Sequence, residues 1–166
     1  MTGDMVLLGK LGRTFRLEGG LRFHPLGRAE GQAVTRLDRV FVAGLGESAV
    51  RKVHHQGGRW IIYLKRVRRL EQAQQLVNTA VYATRDSLSA TEEGVFFLDL
   101  LTRLPVFVDG VAYGRVVGVE PAGQQDLLIL DSAGEERWVP LQAPYVRVTP
   151  ERIEIDRPPP GLLEQE

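Results

Sequence analysis

The chain consists of short apolar runs with a period of two, cut about every 8–12 residues by glycine or proline. "MVLLGKLG" and "GLRFHPL" open it, with Gly19-Gly20 and Pro25 as breakers. "RLDRVFVAG", "SAVRKVHH" and "RWIIYLKRV" follow, separated by Gly44–Gly46 and Gly57-Gly58. Successive strand residues point to opposite faces, so each run buries one face only by packing against other strands. The glycines supply the backbone freedom that tight hairpins need. This spacing predicts antiparallel strands closing into a small barrel. At "LEQAQQLVNTA" the period changes, with Leu70, Ala73, Leu76 and Val77 at helical spacing. One short helix from about Glu71 to Val77 is expected there. "VYATR" returns to strand.

The polar, aperiodic "DSLSATEEG" reads as a linker, and β pattern resumes after it. "VFFL", "PVFVDG", "YGRVVGVEPAG", "DLLILDSAGEE", "RWVPL", "YVRVTP" and "RIEID" are the expected strands, with turns at Asp109-Gly110 and Asp131–Gly134. They suit a second small barrel or sandwich. "RPPPGLLEQE" cannot continue a sheet, because proline donates no ladder hydrogen bond, and it reads as an extended tail. The expected fold class is therefore all-β: two small β-barrels joined by a short helix and linker. The expected boundaries are residues 1–85, a linker at 86–92, a second barrel at 93–158 and a tail at 159–166. A length of 166 residues accommodates two such units.

With no cysteine, disulfides and thiolate metal sites are excluded. No apolar run approaches the ~20 residues of a membrane span, and the N-terminus lacks a basic n-region, so a cytoplasmic protein is expected. The net charge of +0 hides an asymmetry. Residues 1–70 hold 14 Lys and Arg against 5 Asp and Glu, and residues 71–166 hold 7 against 16, which gives +9 and −9. The halves attract each other, serve different partners, or both.

"GLGESA" at Gly44–Ala49 fits G-x-G-x-x-A, but strand alternation follows it where a dinucleotide site needs a helix, so it reads as a hairpin turn. His54 and His55 point apart on a strand and cannot share a metal, and His24 is distant in sequence. No nucleophile elbow, phosphate loop or H-E-x-x-H occurs, so no cofactor, metal or catalytic residue is expected. The densest basic cluster is "KRVRR", which contributes Lys65, Arg66, Arg68 and Arg69. Arg13, Arg16, Arg22, Arg51 and Lys52 are expected to join it in contacting RNA phosphates, against the plainer reading of a solvated strand end. The aromatics nearby are few (Phe15, Phe23, Trp60 and Tyr63), which favours backbone contact over sequence reading.

In "EEGVFFLDL", Phe96 and Phe97 sit side by side on an expected strand. Either one ring fills a core while the other stands exposed near Leu98 or Leu100, or both are buried. An exposed pair partner, with Leu98, Asp99 and Leu100, is the candidate protein-binding site.

Several of these stretches resemble one family. "VLLGKLG…GGLRF", "GVFFLDLL", "GRVVGVEPAGQQDLLIL" and "ERWVPL" with "ERIEIDRPPPGLLE" are similar, in order and over nearly the whole chain, to the RimM family of ribosome maturation factors. Two places depart from its pattern. The opening loop reads Phe15-Arg16-Leu17-Glu18-Gly19 where the family often has a histidine, and the aromatic pair lacks the hydroxyls of the commoner tyrosines. The resemblance implies a translation-factor-like N-terminal barrel and a C-terminal PRC barrel. It implies a non-catalytic, monomeric assembly factor for the small (30S) ribosomal subunit, aiding head-domain assembly and 16S rRNA maturation. Its implied partners are small-subunit ribosomal protein nineteen, through the PRC barrel, and 16S rRNA. A general RNA-binding adaptor and an RNA-acting enzyme are the rival readings.

Overall fold

A computed structural model describes residues 4–16, 18–88, 97–123 and 125–163. The chain divides into two compact units, one ending at Phe97 and one beginning at Leu98.

The first unit is a closed barrel. Its strands are β1 (Met5–Phe15), β2 (Gly20–Pro25), β3 (Arg39–Val42), β4 (Gly46–Gln56), β5 (Arg59–Leu64) and β6 (Ala80–Thr84), in the order β1-β2-β5-β4-β3-β6. All pairs are antiparallel, and β1 closes the ring by pairing with both β2 and β6. Closure leaves no open edge. Alternate residues fill the interior: Val6, Leu8, Leu11, Leu21, Val40, Ile62, Leu64 and Val81 are fully buried. Burying a side chain of this kind contributes roughly 1.5–3 kcal/mol. The β4–β5 hairpin turns at Gly57 (φ 60°) and Gly58 (φ 77°), two successive left-handed residues as a type I′ turn requires.

Two helices pack on β1 and β2. Helix α2 (Leu70–Gln74) lies where helical spacing places one; it ends three residues earlier than expected and is followed by a turn in which Asn78 is left-handed (φ 69°). Helix α1 (Arg28–Val34) was not expected. Its sequence, RAEGQAV, hides its periodicity behind Gly31. That glycine is required by packing: a Cβ there would lie 2.5 Å from Cζ2 of Trp60. The first residues of the expected linker, Asp86–Leu88, form a short 3-10 turn with Leu88 buried.

The second unit is a six-stranded sheet curled into a half-barrel, in the order β10-β9-β8-β7-β12-β11. Its strands are β7 (Pro105–Val108), β8 (Val111–Ala122), β9 (Gln125–Ser132), β10 (Glu135–Pro140), β11 (Val146–Val148) and β12 (Ile153–Ile155). Strands β7 and β12 pair in parallel, and the other pairs are antiparallel. Asp109-Gly110 and Ala133-Gly134 all have positive φ and make two-residue hairpin tips. The core comprises Val106, Val116, Leu128, Leu130, Val139, Ile153 and Ile155.

Of the strand expected at "VFFL", the two described residues, Phe97 and Leu98, are not in a strand. Residues Leu98–Leu101 form a one-turn helix, α3. Thr102 donates its N–H to the Leu98 carbonyl, and Arg103 bonds Asp99 one turn back at 2.9 Å. A four-residue apolar run cannot by itself distinguish a strand from a buried helical turn. Val95 and Phe96 lie outside the described residues, and of the pair only Phe97 is described, buried at 4% exposure.

Candidate nucleic-acid interface

Strands β2, β5 and β4 lie side by side on the barrel wall. On β5, Ile62 and Leu64 point inward, so Ile61 and Tyr63 point outward. Register places Arg22 and His54 on either side of Ile61, and Lys52 beside Tyr63. Next along, Lys10 of β1 pairs with His24 of β2. The outer wall is therefore a cationic stripe. Two apolar residues stay inside it: Ile61 and Tyr63 are only 5% exposed although they face outward.

Tyr63 is covered by cations. The Lys52 ammonium lies 4.5 Å from the ring centroid and the Arg51 guanidinium 5.1 Å. The ring rests on Gly20, where a Cβ would lie 2.8 Å from its Cε2. A register shift between Val50 and Lys52 inserts Arg51 as an extra residue in β4. Its Nη2 donates to the Glu18 carbonyl at 3.3 Å, while its Nε is buried without an acceptor among the described residues. Arg16 lies over the Phe15 ring at 5.0 Å and holds a left-handed backbone (φ 62°). Such strained residues cluster at functional loops.

Phe15, Arg16, Lys52 and Tyr63 help to line an open cleft of about 560 Å³. Phe15, Ile61 and Tyr63 form its apolar part, and Arg16, Lys52, Arg59 and His54 its polar walls, with Gln56 and Gly57 at one end. No carboxylate is among the residues lining it. The lining thus carries three cations and, among the described residues, no carboxylate.

The expected RNA-binding residues separate into groups. Arg16 and Lys52 line the cleft, Arg51 lies over the Tyr63 ring at its floor without lining it, and Arg22 belongs to the wall beside it. The Lys65–Arg69 turn touches the same β1–β2 loop, because a Cβ on Gly19 would lie 2.7 Å from the Val67 carbonyl oxygen and 3.3 Å from the Arg68 carbonyl carbon. Lys65, Arg68 and Arg69 are exposed there, and Arg13 is exposed on β1. Arg66 has a different place. Its Nη1 donates to the carbonyls of Leu45 at 2.9 Å and Glu47 at 3.0 Å, fastening the β3–β4 hairpin. Arg59, His54 and Gln56 were missed, because only the β4–β5 register carries them to Lys52. Among the described residues, no three His, Cys, Asp or Glu side chains are placed to hold a metal ion, and no helix is long and apolar enough to cross a membrane.

The second unit presents a different surface. Cross-strand rows place Trp138 beside Ile129 and Gly118, and Pro140 beside Leu127 and Glu120. The Ile129 side chain lies over Gly118, and Trp138 is 43% exposed. The neighbouring row carries Glu136, Asp131 and Arg115. Of the expected protein-binding residues, Leu98, Asp99 and Leu100 are half-buried and Phe97 is 4% exposed. Phe96 lies outside the described residues.

A closed barrel with a cationic cleft, and a curled sheet in an acidic unit with an exposed tryptophan, make this a two-unit β protein of opposite charges. The family model described as the RimM N-terminal domain matches residues 6–88. Ribosome maturation factor RimM of Thermus thermophilus is 40% identical over 96% of this chain and 99% of its own length. Its namesake from Deinococcus radiodurans is 37% identical over 87% of this chain and 77% of its own. The solution structure of the N-terminal domain of RimM from Thermus thermophilus aligns with 54% of this chain and all of its own at 31% identity, with a TM-score of 0.47. The chain belongs to the RimM family of ribosome maturation factors.

Proposed function

We propose that this chain is a non-catalytic, cytoplasmic assembly factor of the small (30S) ribosomal subunit, acting as a monomer on head-domain assembly and 16S rRNA maturation. The basic barrel contacts rRNA, and the second unit binds small-subunit ribosomal protein nineteen. Leu98 and Leu100 of α3 and the Trp138 face are the contacts we assign to that protein.

The observation that carries this reading is charge segregation between the two compact units. The unit ending at Phe97 has 15 Lys and Arg against 9 Asp and Glu, a net +6. The unit from Leu98 has 6 against 12, a net −6. A basic surface suits polyphosphate, and an acidic surface rimming an exposed tryptophan suits a basic protein with an apolar anchor. The factor favours the correct protein–RNA arrangement by binding it better than its competitors, which is the only way binding shifts an equilibrium.

The full-length protein, used to pull down ribosomal particles from a gradient, should retain free small subunits over large ones, and should bind purified ribosomal protein nineteen. Retention of RNA without preference for the small subunit would favour a general RNA-binding adaptor. Conversion of precursor 16S rRNA by the pure protein would show an enzyme.

A further inference from the structure

We infer that the cleft between the β1–β2 loop and the β4–β5 hairpin seats an unpaired nucleotide of an RNA strand. This rests on the reading above that the basic barrel contacts rRNA, and it specifies what part of the RNA is held.

Charge decides the ligand's sign. Arg16, Lys52 and Arg59 line the cleft with His54, and no carboxylate lines it. Surface cations usually alternate with acids, so an acid-free concavity selects an anion. Shape and polarity then decide between a duplex and a single strand. A duplex presents an outer ridge of phosphates and hides its base faces, so it needs only an exposed row of cations. Lys65, Arg68 and Arg69 already provide such a row. The cleft offers more: the half-buried Phe15 ring under the Arg16 guanidinium, the exposed His54 imidazole, and Ile61 between them and Arg22. Aromatic rings and guanidinium planes are the surfaces on which unstacked RNA bases rest. The Gln56 amide, with one acceptor and two donors, can meet a base edge. About 560 Å³ falls within the ~300–1,000 Å³ typical of small-ligand sites, too small for a helix and large enough for a nucleotide.

The cleft is preformed. Tyr63 holds Lys52 and Arg51 through its ring, and Arg51 anchors the loop at the Glu18 carbonyl. Lys52 and Arg59 then take the phosphates, and the base lies against Phe15, Arg16 and His54.

The test is fluorescence anisotropy of the full chain with a labelled single-stranded oligoribonucleotide, a duplex of the same sequence, and a free ribonucleoside monophosphate as competitor. The wild type should bind the single strand at least tenfold more tightly than the duplex, and the monophosphate should compete only weakly. Lys52→Ala with Arg59→Ala should lower single-strand affinity at least tenfold and duplex affinity much less, with unchanged far-UV circular dichroism and melting. Phe15→Ala should narrow the preference for the single strand. Equal affinity for both RNAs, reduced alike by the variants, would overturn the unpaired-nucleotide seat and leave RNA contact standing. A monophosphate that competes as well as the strand would make the cleft a small-ligand site and overturn the proposal. Displacement by polyglutamate as effective as by RNA would overturn it in favour of an acidic peptide. Binding to neither RNA at low salt would overturn both this proposal and the rRNA reading.

Discussion

Arg66 separates what the basic cluster does for the fold from what it does for RNA. Its guanidinium donates two hydrogen bonds to hairpin carbonyls, at 2.9 and 3.0 Å. Both acceptors lie near solvent and regain water if the donor is lost. Each bond is therefore worth about 0.5–1 kcal/mol, below the ~1.5–3 kcal/mol of charged bonds shielded from water. Arg66→Ala should cost about 1–2 kcal/mol. For a unit of under a hundred residues, each kcal/mol shifts melting by roughly 4–8 °C. The barrel should thus melt about 4–16 °C lower. Trp60 and Trp138 are the two tryptophans, so in a Trp138→Phe background Trp60 emission follows the barrel. Binding to isolated small subunits should meanwhile keep its salt dependence, because Arg66 is not directed at phosphate. Arg68→Ala with Arg69→Ala should do the reverse. It should leave melting nearly unchanged and reduce the slope of log affinity against log salt by about 1.4–1.8, at ~0.7–0.9 for each phosphate no longer neutralised. If Arg66→Ala flattens the slope by as much as one phosphate's share and leaves melting alone, the assignment is wrong.

Gly31→Ala should loosen the Trp60 seat, because the new Cβ would lie 2.5 Å from Cζ2 of an indole that also stacks on His55 at 4.1 Å. A loss of about 1–2 kcal/mol is expected by chemical denaturation, after ~1 kcal/mol of helix propensity offsets part of the strain. Gly114→Ala is harsher, since φ is 50° and the Cβ would sit 2.1 Å from the Asp131 carbonyl oxygen, and calorimetry should show the second unit destabilised by about 3 kcal/mol or more. Phe97→Ala should cost about 3–5 kcal/mol by the same measurement, because the ring is buried. Trp138→Ala should leave melting almost unchanged and weaken binding to ribosomal protein nineteen at least tenfold in a titration; unaltered binding would move the partner surface off this face.

Much of the fold was legible locally. Gly57-Gly58, Asp109-Gly110 and Gly134 turn the chain because they tolerate left-handed backbone, and that preference belongs to the residues themselves, whereas Ala133 is held left-handed by the hairpin. Alternation in "GLRFHPL" likewise puts Leu21 and Phe23 on one face, and both are buried. The charge split and the family resemblance were also present in the linear chain. What remained hidden depended on register between strands far apart in sequence. α1 was masked by Gly31, whose reason is a tryptophan 29 positions later. α3 looked like a strand because a short apolar run fits either period. Arg66 looked like a phosphate ligand until the fold brought the Leu45 and Glu47 carbonyls to it. Arg59 and His54 meet Arg16 and Lys52 only after β4 pairs with β5 and the β1–β2 loop folds beside them. The sequence alone determined where most hairpins turn, which runs are apolar and how much charge each half carries. Tertiary structure decided which charges share a cleft and which are fastened to the backbone, because sequence spacing does not set the distance between side chains on different strands.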